Sequence, residues 1–299
     1  MSPDLPPRLF DRALLRRRFA RATRAGAAAD FLLARVADDL SDRLAAILRH
    51  FPRGLDLGTS GPHFARALAA SGKVGQAFRA AAPEAAGPLD IAADEEALPF
   101  ADASVDLVVS GLALHMVNDL PGALAQIRRA LRPDGLFIAA LLGGRTLQEL
   151  RAALAEAESD LTGGASPRVA PFADVRDLGG LLQRAGFALP VSDGDLVTVR
   201  YADMFALMAD LRAMGATNVL VERARRFSTR GLFLRAAEIY ARRSADRDGR
   251  IRASFEIVWL SGWAPHEGQQ KPLRPGSAKA RLADALGVAE LAAGERAPR

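Results

Sequence analysis

The chain has 299 residues, of which 49% are hydrophobic and 25% charged, with a formal net charge of +5 and no cysteine. That length suits one large domain, or one domain plus a cap, with a substantial core. The missing cysteines exclude disulfides, thiolate catalysis and cysteine-ligated zinc or iron–sulfur clusters. The positive charge is nearly all arginine, the only lysines being Lys73, Lys271 and Lys279. No basic run is interleaved with aromatic residues as single-strand binding requires, so nucleic acid is not an expected partner. No stretch reaches the ~18 to 20 apolar residues of a spanning helix, so no transmembrane segment is expected. The amino-terminal end lacks an apolar signal core, and Asp4 and Asp11 speak against a transit peptide, so the expected location is the cytoplasm. The positive balance suits an acidic partner or peripheral association with a membrane surface.

In chain order, residues 8–24 form a basic amphipathic segment whose Leu9, Phe10, Leu14 and Leu15 would pack a solvated helix. Residues 31–50 read as a strong helix, with Leu32, Val36, Leu40, Leu44 and Leu48 as the buried stripe. Residues 54–57 are a first strand and 58–62 a turn into the next helix. There Thr59 or Ser60 could cap, and Pro62 could sit in the first turn where no donor is needed. A second strand covers 74–78. The acids Asp94, Glu95 and Glu96 follow, and adjacent acids are most often a solvated loop. Residues 106–110 are a buried strand. In the helix 120–131, Leu120, Leu124, Ile127 and Leu131 share one face, with Asn118 and Asp119 as caps. Residues 132–135 stop it, Pro133 being unable to continue and Gly135 tolerating a positive φ. Residues 136–142 are the next strand, completing a βαβ unit of a parallel sheet.

Beyond it, 146–158 and 175–185 read as helices and 191–200 as a strand. Residues 204–214 and 232–242 read as cap helices, with Met204, Met208 and Met214 in core positions, and 254–260 as the last strand. Arg151, Arg168 and Phe172 either lie on a solvated face or line a substrate entrance. Arg223, Arg225, Arg226 and Arg230 form the densest basic patch, a solvated surface unless an acidic protein meets it. His115 is either structural or, since an imidazole titrates near neutrality, a contact for substrate or cofactor.

The run LPF at 98–100, SVDLVVS at 104–110, Leu114-His115 and the RPDG turn before LFIA resemble the second half of a class I S-adenosylmethionine (SAM)-dependent methyltransferase. The string 114–151 is similar to the complex I assembly factor 5 family of arginine hydroxylases. So is the ending 261–277 with Trp263, His266 and Glu267. Relatives of that family include the malonyl-carrier-protein O-methyltransferase. The resemblance implies an α/β, Rossmann-like class I methyltransferase fold with a mostly parallel seven-stranded sheet. It divides the chain into an N-terminal helical arm over 1–50 and a methyltransferase-like domain over 51–264. Cap insertions fall near 145–172 and 202–248, and a partly disordered extension over 265–299. It makes the arm part of the fold, as a lid.

It also implies SAM as cofactor. Asp56, Gly58, Thr59 and Gly61 would hold the amino-acid end, Asp94 and Glu95 the adenine, and Ser110, Gly111 and His115 the pocket floor. The signature is weakened. Ser60 and Pro62 stand where the second and third glycines are expected, and Ala81 stands where an acid takes the ribose hydroxyls. Glu84 lies three residues further on. Met116 replaces a tryptophan, and Arg145 an acid.

No general base, metal ligand set or iron triad can be assigned. The implied function is a SAM-dependent methyltransferase-family protein that modifies an arginine of a respiratory complex I subunit. The alternatives are a non-catalytic assembly chaperone that has lost SAM and an acyl-carrier-protein O-methyltransferase.

Overall fold

Apolar runs alternating with amphipathic helices build a doubly covered sheet. The computed structural model describes residues 8–25, 29–270, 284, 287 and 288. Its strands are β1 (Phe51–Leu57), β2 (Val74–Ala81), β3 (Ile91–Ala92), β4 (Val105–Gly111), β5 (Leu131–Leu142), β6 (Ala188–Tyr201) and β7 (Ile251–Trp263). They form a seven-stranded sheet in the order β3-β2-β1-β4-β5-β7-β6. β1 to β5 pair in parallel, and β7 runs antiparallel between β5 and β6. The expected mostly parallel sheet of seven strands is therefore present.

Eight α-helices lie among the described residues. They are α1 (Arg12–Arg24), α2 (Phe31–Ala45), α3 (His63–Ala70), α4 (Leu120–Ala130), α5 (Gln148–Thr162), α6 (Val175–Arg184), α7 (Met204–Ala213) and α8 (Arg230–Ser244). Leu124 and Ile127 of α4 and Leu178 and Leu182 of α6 cover one sheet face around Phe137. Leu40 and Leu44 of α2 and Phe64 and Leu68 of α3 cover the other, around Leu107 and Ile138. α5, α7 and α8 make a third cluster against the outer parts of β6 and β7, including Met204, Tyr240 and Phe255. Burying a side chain of this size stabilises by about 1.5–3 kcal/mol, and this drive sets the layers.

The chain divides into two units, Met1–Pro265 and His266–Arg299. The arm lies within the first unit. In the second, the Gln269 amide donates to the His266 carbonyl at 3.2 Å. Most of the expected C-terminal extension, including 271–277 of the resembling ending, lies outside the described residues.

Three local expectations are corrected. α2 ends at Ala45, so Leu48 misses the stripe and is 92% exposed. The chain must turn there to enter β1, and the Lys73 ammonium caps the Ile47 carbonyl at 2.7 Å. In the RPDG turn, Asp134 takes the positive φ of 63°. Gly135 is required for space, because a Cβ would lie 2.8 Å from the Arg132 carbonyl and 3.0 Å from that of Asp106. Neither Thr59 nor Ser60 caps α3. Pro62 occupies the N-cap with no side-chain bond, because the Thr59 hydroxyl is turned inward.

Candidate functional site

Parallel sheets place ligands at the carboxyl ends of their strands, and this chain has two adjoining cavities there. The smaller measures about 40 Å³. Gly58 and Ser60 after β1, Ala82 and Glu84 after β2, Glu95 before β4 and Leu112, Ala113 and Met116 after β4 form its walls. Arg12, Leu15, Arg16 and Phe19 of α1 close it. The larger measures about 530 Å³, within the ~300–1,000 Å³ usual for a ligand site. Its walls are mainly apolar, drawn from Leu32 and Leu33 of α2, Leu150 and Leu154 of α5, Val169 and Phe172, and Met208, Leu211 and Phe233 of the cap. Leu15, Phe19, Ser60, Leu112 and Met116 face both.

The loop after β1 follows from local chemistry. Gly58 turns the chain at φ +74°, and a Cβ there would meet the Glu95 side chain at 2.8 Å. Its amide donates to the Ala80 carbonyl at 2.7 Å, tying the turn to the end of β2. The Thr59 hydroxyl donates to Asp56 and accepts from the Gly111 amide at 3.0 Å. Beneath it, Asp56 is 0% and Arg79 3% exposed, their nearest charged atoms 3.8 Å apart. Arg79 donates to the Thr59 carbonyl at 2.9 Å and to those of Ala86 and Pro88 at 2.7 and 3.0 Å. One guanidinium thus staples the β1 loop to the β2 loop. The sequence reading missed it. The available signal was an arginine inside the apolar end of strand two.

The predicted site residues divide accordingly. Gly58 and Glu95 line the smaller cavity, and Gly61 and His115 the larger. Asp56, Thr59 and Ser110 are buried and line neither cavity. Asp56 and Thr59 organise the loop from beneath, because a carboxylate at the end of a central strand finds its partners inside the sheet. Gly111 backs onto Phe64, where a Cβ would lie 2.7 Å from the ring. Asp94 is engaged by Arg12 at 2.7 Å and by Arg16, and Glu95 by Arg12. Asp94 is held below the usual carboxylate range: burial opposes the shift, but the Glu96 amide and the two guanidiniums outweigh it.

Glu84 faces the smaller cavity with one carboxylate oxygen buried and without a partner among the described residues. His115 sits on a one-turn 3-10 segment, Leu114–Met116, edge-on to Phe172 with ring centres 5.1 Å apart. Burial holds its imidazole down to about 3, so it is neutral at physiological pH; its Nδ1 has no partner among the described residues. Arg168 and Phe172 do line the larger cavity, while Arg151 supports the wall by donating to the Ala170 carbonyl at 3.1 Å. Met208 and Met214 also reach the cavity wall. Arg223 of the basic patch pairs with Asp11 of the arm at 3.1 Å. Among the described residues no cluster of three metal-ligating side chains occurs.

Burial raises the Asp56 carboxyl from 3.8 to about 7, against the lowering effects of Thr59 and Arg79. Its folded state therefore holds a proton more tightly than the unfolded chain. The associated stability is full below about pH 4 and is lost as pH rises through about 7, on the order of 4 kcal/mol. Asn at this position cannot titrate. The stability of wild type relative to Asp56→Asn should fall between pH 4 and 7 in denaturant titrations. A difference independent of pH would refute the assignment.

Residues 55–139 match the family described as a methyltransferase domain. Across 293 residues the chain is 38% identical to the mitochondrial arginine-hydroxylase NDUFAF5 of Danio rerio, covering 95% of this chain and 91% of that protein. It is 34% identical to a malonyl-[acyl-carrier protein] O-methyltransferase of Methylovorus, covering 86% of this chain and 90% of the relative. The YcgJ protein of Bacillus subtilis has a similar fold, with a TM-score of 0.53 at 15% identity over 78% of this chain and 99% of that one.

Proposed function

Because the chain belongs to the arginine-hydroxylase NDUFAF5 family, on a methyltransferase fold, we propose that it binds SAM and acts on an arginine side chain of a protein partner, a respiratory complex I subunit. The observation that carries this is the Glu84 carboxylate in the cavity at the ends of β1 and β2, one oxygen of which is buried without a partner among the described residues. Ribose hydroxyls are donors that need an acceptor at that place, and Ala81 offers none. Glu84 would take the ribose from the loop that follows. Asp94 would accept from the adenine amino group, and Gly58 lets the backbone approach. These residues fit the cofactor. The apolar chamber beside it suits the flanks of the target arginine and excludes water, and His115 offers a neutral acceptor on its wall. When bound, SAM supplies an activated sulfonium-linked methyl group. The chain's own residues bind, orient and desolvate, and positioning of this kind contributes several kcal/mol to a reaction.

Isothermal titration with SAM and with its demethylated product tests this. Micromolar binding is expected, weakened by about one to two orders of magnitude in Glu84→Gln, since an unpaired hydroxyl costs ~1–3 kcal/mol. No binding at millimolar ligand would leave an assembly scaffold without the cofactor.

A further inference from the structure

The cofactor site carries its own counter-ions. Arg12 and Arg16 lie one helical turn apart on α1, so both guanidiniums project from one face. That face lies on the acid turn before β4. Arg12 reaches one oxygen of Asp94 at 2.7 Å, and Arg16 reaches the other. Arg12 also binds Glu95, and it donates to the Met116 carbonyl at 3.3 Å. Its side chain is only 16% exposed. Charge-assisted bonds of this kind are about twice as strong as neutral ones. With the arm seated, the cavity of about 40 Å³ is far below the ~300 Å³ at the lower end of ligand sites.

We propose that the arm is an internal lock on the cofactor site: Arg12 and Arg16 hold the carboxylates that the adenine amino group needs, and cofactor binding releases the arm. The inference rests on the SAM reading given above. Release has a second consequence, because Leu15 and Phe19 of the same helix wall both cavities. Lifting that face off the acid turn also opens the large chamber, so cofactor binding precedes and permits entry of the protein substrate. The arm stays tethered through contacts that do not involve the acid turn. The Asp11 amide donates to the Val219 carbonyl at 2.8 Å, and the Asn118 carboxamide accepts from the Phe10 amide at 2.7 Å. By linkage, whatever weakens the lock must tighten the cofactor to the same degree.

The test is titration calorimetry of full-length wild type and the double variant Arg12→Gln/Arg16→Gln with SAM, at low and high salt. Far-UV circular dichroism shows whether both are folded. If the closed arm predominates by about ten to one, the variant binds about tenfold more tightly. Salt should then strengthen binding by wild type, since it screens the partly exposed pairs, and leave the variant's affinity nearly unchanged. Hydrogen exchange gives an independent readout. Amides of α1 in wild type should exchange faster once SAM is added. Equal or weaker binding by the folded variant, or unchanged exchange in α1, overturns the lock and leaves the cofactor reading standing. No binding by either protein overturns both.

Discussion

An Arg79→Met variant should lose about 3–5 kcal/mol of stability, the cost of removing one partner of a buried ion pair. Three effects act together. The Asp56 carboxyl loses the cation that opposes its protonation, so inside the sheet it takes up a proton in place of the charge contact. The carbonyls of Thr59, Ala86 and Pro88 lose a charged donor. Met fills the aliphatic part of the space but cannot donate. Because those carbonyls belong to the loops after β1 and β2, the smaller cavity should be lost before the sheet unfolds. Chemical denaturation measures the first effect and SAM titration the second. Arg79→Lys is the informative companion. A point charge can neutralise Asp56 but cannot reach three carbonyls, so it should recover part of the stability and little of the binding. A midpoint shift worth less than about 1 kcal/mol for Arg79→Met would show that the pair contributes nothing beyond a well-packed apolar residue, as some buried pairs do.

The other large effect is expected at Glu158. This carboxylate is 2% exposed at the end of α5. It accepts from Arg168 through both oxygens, at 2.9 and 3.0 Å, and from the Ser166 amide at 2.9 Å. Arg168 in turn donates to Ser228 at 2.9 Å, so Glu158 fastens the wall segment carrying Val169, Ala170 and Phe172 to the cap. The Arg168 bond, aided by Ser166 and opposed by burial, pulls its carboxyl down from 4.5 to about 2. A depressed acid contributes stability above its unfolded value and loses it as pH falls through its folded value. Wild type should therefore lose this contribution between about pH 4.5 and 2, whereas Glu158→Gln should already lack it at neutral pH. Hydrogen bonds to a charged group contribute about 1.5–3 kcal/mol, and a loss of that size is expected for Glu158→Gln. Trypsin should also cut the variant faster at Arg168, because the carboxylate that holds its guanidinium is gone. Unchanged cleavage with full stability would mean that Ser166 and Ser228 suffice to hold the wall.

Much of the architecture was legible in the residue order alone. Periodicity located the βαβ unit over 106–142 because a buried strand and a one-sided helix leave different spacings of apolar residues. Asp119 was readable as a cap, and it does accept from the Gly122 amide at 2.8 Å. The LPF, RPDG and 114–151 strings pointed to the family because they encode turns and packing that recur with the fold. Gly58 was recognisable because its backbone conformation and its approach to Glu95 both exclude a side chain.

What residue order could not decide was which groups meet across the sheet and across the arm. Asp56 reads as a ligand contact in a motif, yet it faces inward, because β1 and β2 align it with Arg79. Asn118 reads as a helix cap in sequence, but Asp119 alone caps α4 and Asn118 binds Phe10, 108 residues away. Asp94 and Glu95 looked like a free acid turn, and Arg12 and Arg16, about 80 positions earlier, neutralise them. Glu84 lacked any distinguishing neighbour until the loops after β1 and β2 closed around it. Local spacing specifies how each segment folds, since helices and strands are built from contacts within a few residues. Pairings of charge and the shape of a cavity depend on segments distant in sequence, so only the packed sheet and the seated arm determine them.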